Sequence, residues 1–319
     1  DVPVFFEHRL TQVEKQGDRL TKLIFENGNS VRGKVFMDTT YEGDLMARSG
    51  VSQVAGREAN SEFGEKLNGI QIGARSAPHN FQWRVDPYVI PGNPASGVIE
   101  GVDGTPYAAA DHGKADKLYQ PFCFRVFATQ KDPLPWPKPA DYRAARYELL
   151  KRYVNAAPDS TWWNLIYSRG PLKLNEGDCN SAGPVSLDYV GGSFGWAEGS
   201  YEEREKIFQD HVNYQQGYLY FLANDPSVPA KIRESFAQWG LAKDEFTDNG
   251  HWPHQIYVRE ARRMTADVVV NENHLKRKIP TPRSVGMGSY NMDSHNVQRI
   301  VVRYADGKAY VRNEGDLQV

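Results

Sequence analysis

A short apolar run, Lys34-Val35-Phe36-Met37, ends abruptly on Asp38-Thr39-Thr40-Tyr41-Glu42-Gly43-Asp44, and an apolar pattern resumes at Leu45-Met46-Ala47. No other stretch constrains the fold as strongly. A strand that finishes in acids, hydroxyls and one glycine points its end at a ligand or at the first turn of the next helix. In open α/β sheets, ligands sit off the carboxyl ends of the strands, where polar side chains bond hydroxyls or phosphates. A glycine there lets the backbone come close. A helix starting near Asp44 adds unpaired N–H groups that attract a pyrophosphate. The other reading is that Asp38 or Thr40 caps that helix. Local chemistry leaves both open.

The surrounding pattern is consistent with strands leading into this junction. Val2 to Phe6 is a short apolar run, Leu10 and Val13 begin a second, and Gly17-Asp18 marks a turn. Leu20, Leu23 and Phe25 belong to a strand that ends at Asn27-Gly28-Asn29, and Val31 to Met37 forms the last strand. The expected unit is a small β-meander. Residues 44–69 read as helix and loop, and residues 76–140 as ordered loop dense in proline and glycine. Residues 118–130 alternate like a strand. Helices are expected over 139–154, over 200–223 with a Ser200/Glu203 capping box, over 229–241 and over 254–270. A hairpin turns at Asp306-Gly307.

The chain has 319 residues, enough for one large or two ordinary domains, and a net charge of −2. It shows neither the basic excess nor the basic stripe of a nucleic-acid binder. It contains no apolar run of about 18 residues that would span a membrane. Its two cysteines, Cys123 and Cys179, stand far apart and exclude a cysteine-type zinc site. His251, His254 and His295 have no preset metal geometry, so no metal is expected. The compartment stays open between cytoplasmic and periplasmic or secreted.

The stretch "VFMDTTYEGDLMARSGV" resembles the second flavin-contact segment of bacterial FAD-dependent oxidoreductases related to glutathione-reductase-type flavoproteins. Thr39 stands where that family carries Ala. The resemblance continues through "GRE" (56–58), "DPYVIPGNPASGVI" (86–99), "YQPFCFRVFAT" (119–129), "DEFTDNGHWPHQIYVREARRM" (244–264) and "SVGMGSYNMDSHNVQR" (284–299). It implies an FAD cofactor and an α/β fold, α+β in its substrate part. Residues 1–50 would form a partial Rossmann-like FAD-binding domain with its β-meander, and residues 51–319 a mixed substrate domain. It also implies cofactor contacts at Asp38, Thr39, Thr40, Glu42, Gly43 and Asp44, with Leu10 offering its backbone to the adenine.

The family opens with a strand–G-x-G-x-x-G–helix phosphate cradle, and this sequence has none. Gly286-Met287-Gly288 lacks the third glycine and reads as loop. We therefore expect these residues to be the middle of a longer polypeptide, partnered by its own N- and C-terminal portions. Alone, the piece is expected to bind FAD weakly and to be inactive.

In a flavoenzyme the cofactor does the redox step, and the protein places the substrate and handles protons. The candidates are His254, His295 beside Asp293, Tyr257, Arg259 and Arg125. Arg259 with Arg262 or Arg263 could grip a polar substrate, or could belong to a salt-bridged helix with Glu260. Arg125 inside "FCFRVFAT" needs a ligand or an ion-pair partner. Arg57 would lie near the flavin or cap the sheet. The expected function is hydride transfer between FAD and a small polar, carbohydrate-like molecule. The alternatives are a flavin-free carbohydrate hydrolase or lyase using Asp244 and Glu245, and a non-catalytic binding module.

Overall fold

The structure is a computed structural model and describes residues 2–72, 79–168, 176–181, 183–288, 290 and 292–318. It opens with an antiparallel three-stranded sheet of β1 (Leu10–Gln16), β2 (Arg19–Phe25) and β3 (Ser30–Arg32), in the order β1-β2-β3. This is the expected meander, but shorter. Residues 2–6 and 33–37 are not strands. Val2, Val4, Phe5, Phe6, Val35 and Met37 stand exposed, Phe6 and Met37 at 82% each. Their apolar character has no neighbouring strand to pair with among the described residues.

The helix after the acid-rich turn is one short stretch, α1 (Asp44–Arg48). It is followed by β4 (Gln53–Val54) and α2 (Asn60–Phe63). A loop-rich stretch follows, of which residues 73–78 lie outside the described residues, and it leads to β5 (Phe127–Thr129). The strand expected over 118–130 is therefore confined mostly to its last residues. The helix expected over 139–154 is a 3-10 turn over Ala144–Tyr147 continuing into α3 (Glu148–Ala156). Next come α4 (Trp162–Leu165), β6 (Ile166–Ser168) and β7 (Glu176–Ser181).

The long helix α5 (Tyr201–Asn224) starts where the capping box places it. The Ser200 hydroxyl accepts from the Glu203 N–H, and the Glu203 carboxylate accepts from the Ser200 N–H. It buries Tyr214, Tyr218, Leu219, Phe221 and Leu222, and α6 (Ala230–Ala237) packs beside it. β8 (Gly240–Leu241) closes an antiparallel sheet in the order β6-β7-β5-β8. Its core includes Phe122, Phe124, Val126, Trp162, Leu165 and Phe236, all fully buried.

No helix forms over 254–270. The segment runs extended, with Tyr257 bridged to Cys123 and β9 (Arg263–Met264) paired to β4. The physical reason lies in its alternation. Ile256 and Val258 are buried while Tyr257 between them is exposed, which is the two-residue period of a strand. α7 (Glu272–Leu275) follows, then β10 (Asp293–Ser294), β11 (Gln298–Arg303), β12 (Ala309–Glu314) and β13 (Leu317–Gln318). β11 and β12 make the expected hairpin across Asp306-Gly307, and β10 pairs with β13. Every named strand pairing among the described residues is antiparallel. Helix and strand are therefore mixed without a parallel sheet among these residues. Of the loop after Gly288, Ser289 and Asn291 lie outside the described residues.

Candidate functional site

The acid-rich junction spends most of its polar groups on the chain itself. The Asp38 carboxylate accepts from the backbone N–H of Leu45 and Met46 at the start of α1, and from the N–H and hydroxyl of Thr40. Burial raises its pKa, but these donors outweigh burial and hold it below the usual carboxylate range. Thr40 also accepts from the Gly43 N–H. Gly43 itself has φ 68°, a left-handed turn suited to glycine. Glu42 accepts from the Trp196 indole at 2.9 Å. Asp44 takes two guanidiniums, Arg204 at 2.6 and 2.8 Å and Arg262 at 2.8 Å. Burial opposes the charge on Asp44, and the two arginines win and depress its pKa.

Beside this junction opens a cleft of about 460 Å³. It is lined by Leu10, Asp38, Thr39, Thr40, Glu42 and Asp44 from one side, and by Trp196, Tyr201 and Arg204 from the other. The Leu10 carbonyl accepts from the Tyr201 hydroxyl. Arg57 lies elsewhere, its guanidinium held between Asp116 and Glu314 at 2.5 to 3.1 Å.

A second cluster gathers four of the five proposed chemical residues. Its centre is Asp188, buried in the turn after β7, which the sequence reading overlooked. Asp188 Oδ1 accepts from Arg259 Nη2 at 2.9 Å, and Asp188 Oδ2 lies 2.6 Å from His295 Nδ1. Burial raises the pKa of Asp188, yet the charges of Arg259 and His295 overcome it and hold the carboxyl well below its ordinary value. An ionised carboxylate only accepts, so His295 Nδ1 carries a proton toward it. The main-chain N–H of His295 donates to Gln120 Oε1, which fixes the residue from a second side.

Arg259 also donates to the Pro121 carbonyl, and its guanidinium lies 4.9 Å from the centre of the Tyr257 ring. Arg125 lies 5.8 Å from the same ring and is paired with Asp178. Tyr257 is thus a half-exposed aromatic ring with two cations near it. The Cys123 thiol beside Arg259 is buried and pushed up to about 12 by burial, so it stays protonated. The His79 ring lies tilted 5.4 Å from that of His295, and burial lowers its pKa. Asp316 is 4% exposed, and neither carboxylate oxygen has a hydrogen-bond partner among the described residues. Burial pushes its pKa up to about 7 against the pull of His295.

His254 is not part of this cluster. It pairs with Asp248 at 3.0 Å on the surface, its side chain 56% exposed. Asp244 and Glu245 line a separate cleft of about 380 Å³ with Lys131, Asp132 and Glu176. Asp188, not Asp293, is the carboxylate on His295. The overlooked acids differ in how legible they were. Asp188 interrupts the apolar "VSLDYV", the same signal that singled out Arg125, whereas nothing local marks Asp316. No group of His, Cys, Asp or Glu among the described residues has the arrangement of a metal site. No described helix is long and apolar enough to cross a membrane.

A family model described as FAD dependent oxidoreductase matches residues 1–318. No curated protein and no solved structure matches the chain.

Proposed function

The chain belongs to the FAD dependent oxidoreductase family, whose members use FAD as cofactor, and from that premise we propose that it oxidises a small polyhydroxy molecule, carbohydrate-derived, at the Asp188–His295–Arg259 cluster. The carrying observation is the 2.6 Å contact between Asp188 and His295. It points Nδ1–H at Asp188, so that in the neutral ring Nε2 is the nitrogen that takes a hydroxyl proton. Asp188 stabilises the imidazolium so formed. Tyr257 gives the C–H face of a sugar-like ring an aromatic surface, and Arg125 and Arg259 place two cations near it. Arg259 acts through Asp188, holding it ionised.

FAD, when bound, supplies the acceptor for the hydride. The cleft beside residues 38–44 fits part of such a dinucleotide. It is open, and its Thr39 hydroxyl has no partner among the described residues. The carboxylates of Asp38 and Asp44, the N–H groups of Thr40 and Gly43 and the Leu10 carbonyl are already engaged, so this wall would hold the cofactor through the Thr39 hydroxyl and the Glu42 N–H. Residues 1–50 would act as the Rossmann-like cofactor side and residues 51–319 as the substrate side. Arg57, enclosed by two carboxylates, would brace the fold and make no cofactor contact.

The test is flavin reduction by sugars and hydroxy acids with the full-length gene product, followed by absorbance. His295→Gln should lower the rate of flavin reduction by about 10²-fold or more and leave flavin affinity unchanged. Unchanged reduction in a flavin-loaded His295→Gln protein would overturn the assignment.

A further inference from the structure

A second cavity, of about 190 Å³, lies on the other side of the 185–190 segment and is lined by Arg299, Arg146, Tyr189, Tyr214, Leu150 and Val185 among others. Arg299 is 4% exposed. It bonds only neutral groups, the Pro184 carbonyl at a long 3.4 Å from Nη2 and the Tyr214 hydroxyl, and its Nε has no partner among the described residues. It makes no ion pair with a described carboxylate. A buried guanidinium without a counter-charge is costly. Burial accordingly pulls its pKa below the ordinary arginine value, although the guanidinium stays charged at any ordinary pH.

The other charges around the cavity do not compensate. Arg146 donates to Asp210 and to the Tyr189 hydroxyl, both at 2.7 Å, and its Nε, also unpartnered, is 3.9 Å from Glu100. Glu100 is taken by Arg143 at 3.1 Å. Asp188, whose charge also acts on Arg299, is committed to Arg259 and His295. Three arginines face two carboxylates, which leaves one positive charge over. The remaining walls, Leu149, Leu150, Val185 and Val190, are apolar.

We infer that this cavity binds a small aliphatic monocarboxylate. Its carboxylate would lie against Arg299 and the free Nε of Arg146, and its short chain against the leucine and valine walls. The volume is below the range that holds drug-sized ligands, and a single carboxylate supplies the one negative charge required. Forked N–H donors suit a planar carboxylate better than a spherical ion. The inference does not depend on the redox reading, because no residue lining this cavity belongs to the proposed catalytic cluster.

The test uses sodium butyrate as probe, with sodium chloride at equal ionic strength and neutral butyramide as comparisons. Butyrate should raise the Tm of the protein saturably, by about 2 °C or more. Chloride and butyramide should not. Arg299→Met should remove the butyrate shift. Calorimetric titration of the unmodified protein with butyrate should give a saturable heat, a readout that stands even if the variant folds poorly. No saturable heat, an equal shift with chloride, or a shift that persists in Arg299→Met would each overturn the inference.

Discussion

Two buried acids carry opposite pH signatures. Asp188 is ionised among cations, so its folded pKa lies below its unfolded value. Its stabilising effect is complete above about pH 4 and is lost as pH falls below that value. Asp188→Asn leaves Arg259 buried without its counter-charge and should cost about 3–5 kcal/mol in urea unfolding at pH 7. Asp316 is the reverse case, with a folded pKa near 7. Its neutral form stabilises the fold below about pH 4, and that contribution is lost as pH rises from about 4 to 7. The full shift is worth on the order of 4 kcal/mol, an upper bound. Asp316→Asn should therefore flatten the fall in urea midpoint between pH 4 and pH 8. An unchanged slope would assign that pH dependence to other groups. At this scale the sequence was informative where a charge sat in an apolar run, as with Arg125. It was silent where burial arises from distant segments, as with Asp316.

Among elements, α5 shows how tertiary contact overrides propensity. Replacing a helical glycine with alanine normally gains about 1 kcal/mol. At Gly217 a Cβ would overlap the Tyr147 hydroxyl, which itself donates to the Tyr214 carbonyl at 3.0 Å. Gly217→Ala should therefore lower Tm instead of raising it, and thermal unfolding followed by circular dichroism will read the sign. The start of this helix was legible because a capping box is local chemistry. The 254–270 segment misled because its arginines fall at helical spacing, while Ile256 and Val258 alternate with Tyr257 at strand spacing. Pairing with Cys123 decided in favour of the strand. β1 to β3 were readable from turn residues. The apolar runs at 2–6 and 33–37 looked like strands because β-propensity reports composition, whereas a strand also needs a neighbour to bond.

For the molecule as a whole, those two runs leave Val2, Val4, Phe5, Phe6, Val35 and Met37 in solvent next to the first sheet. Exposed apolar side chains in such runs bind hydrophobic probes and promote association. The protein should enhance ANS fluorescence while fully folded, and Phe5→Ser combined with Phe6→Ser should reduce that signal without lowering Tm. Retention of the full signal would place the dye elsewhere. That residues 38–44 line one cleft was legible because they are contiguous. The Asp188 cluster was only half legible, because its members come from residues 120, 188, 259 and 295 and are neighbours solely through packing. Asp44 connects the two regions, its single carboxylate gripping Arg204 on α5 and Arg262, which lies three positions along the extended run from Arg259. The cleft beside residues 38–44 and the Asp188 cluster are thus mechanically in series, so a guest that displaced Asp44 would pull on the strand that carries Arg259, and strain would cross between them without a hinge.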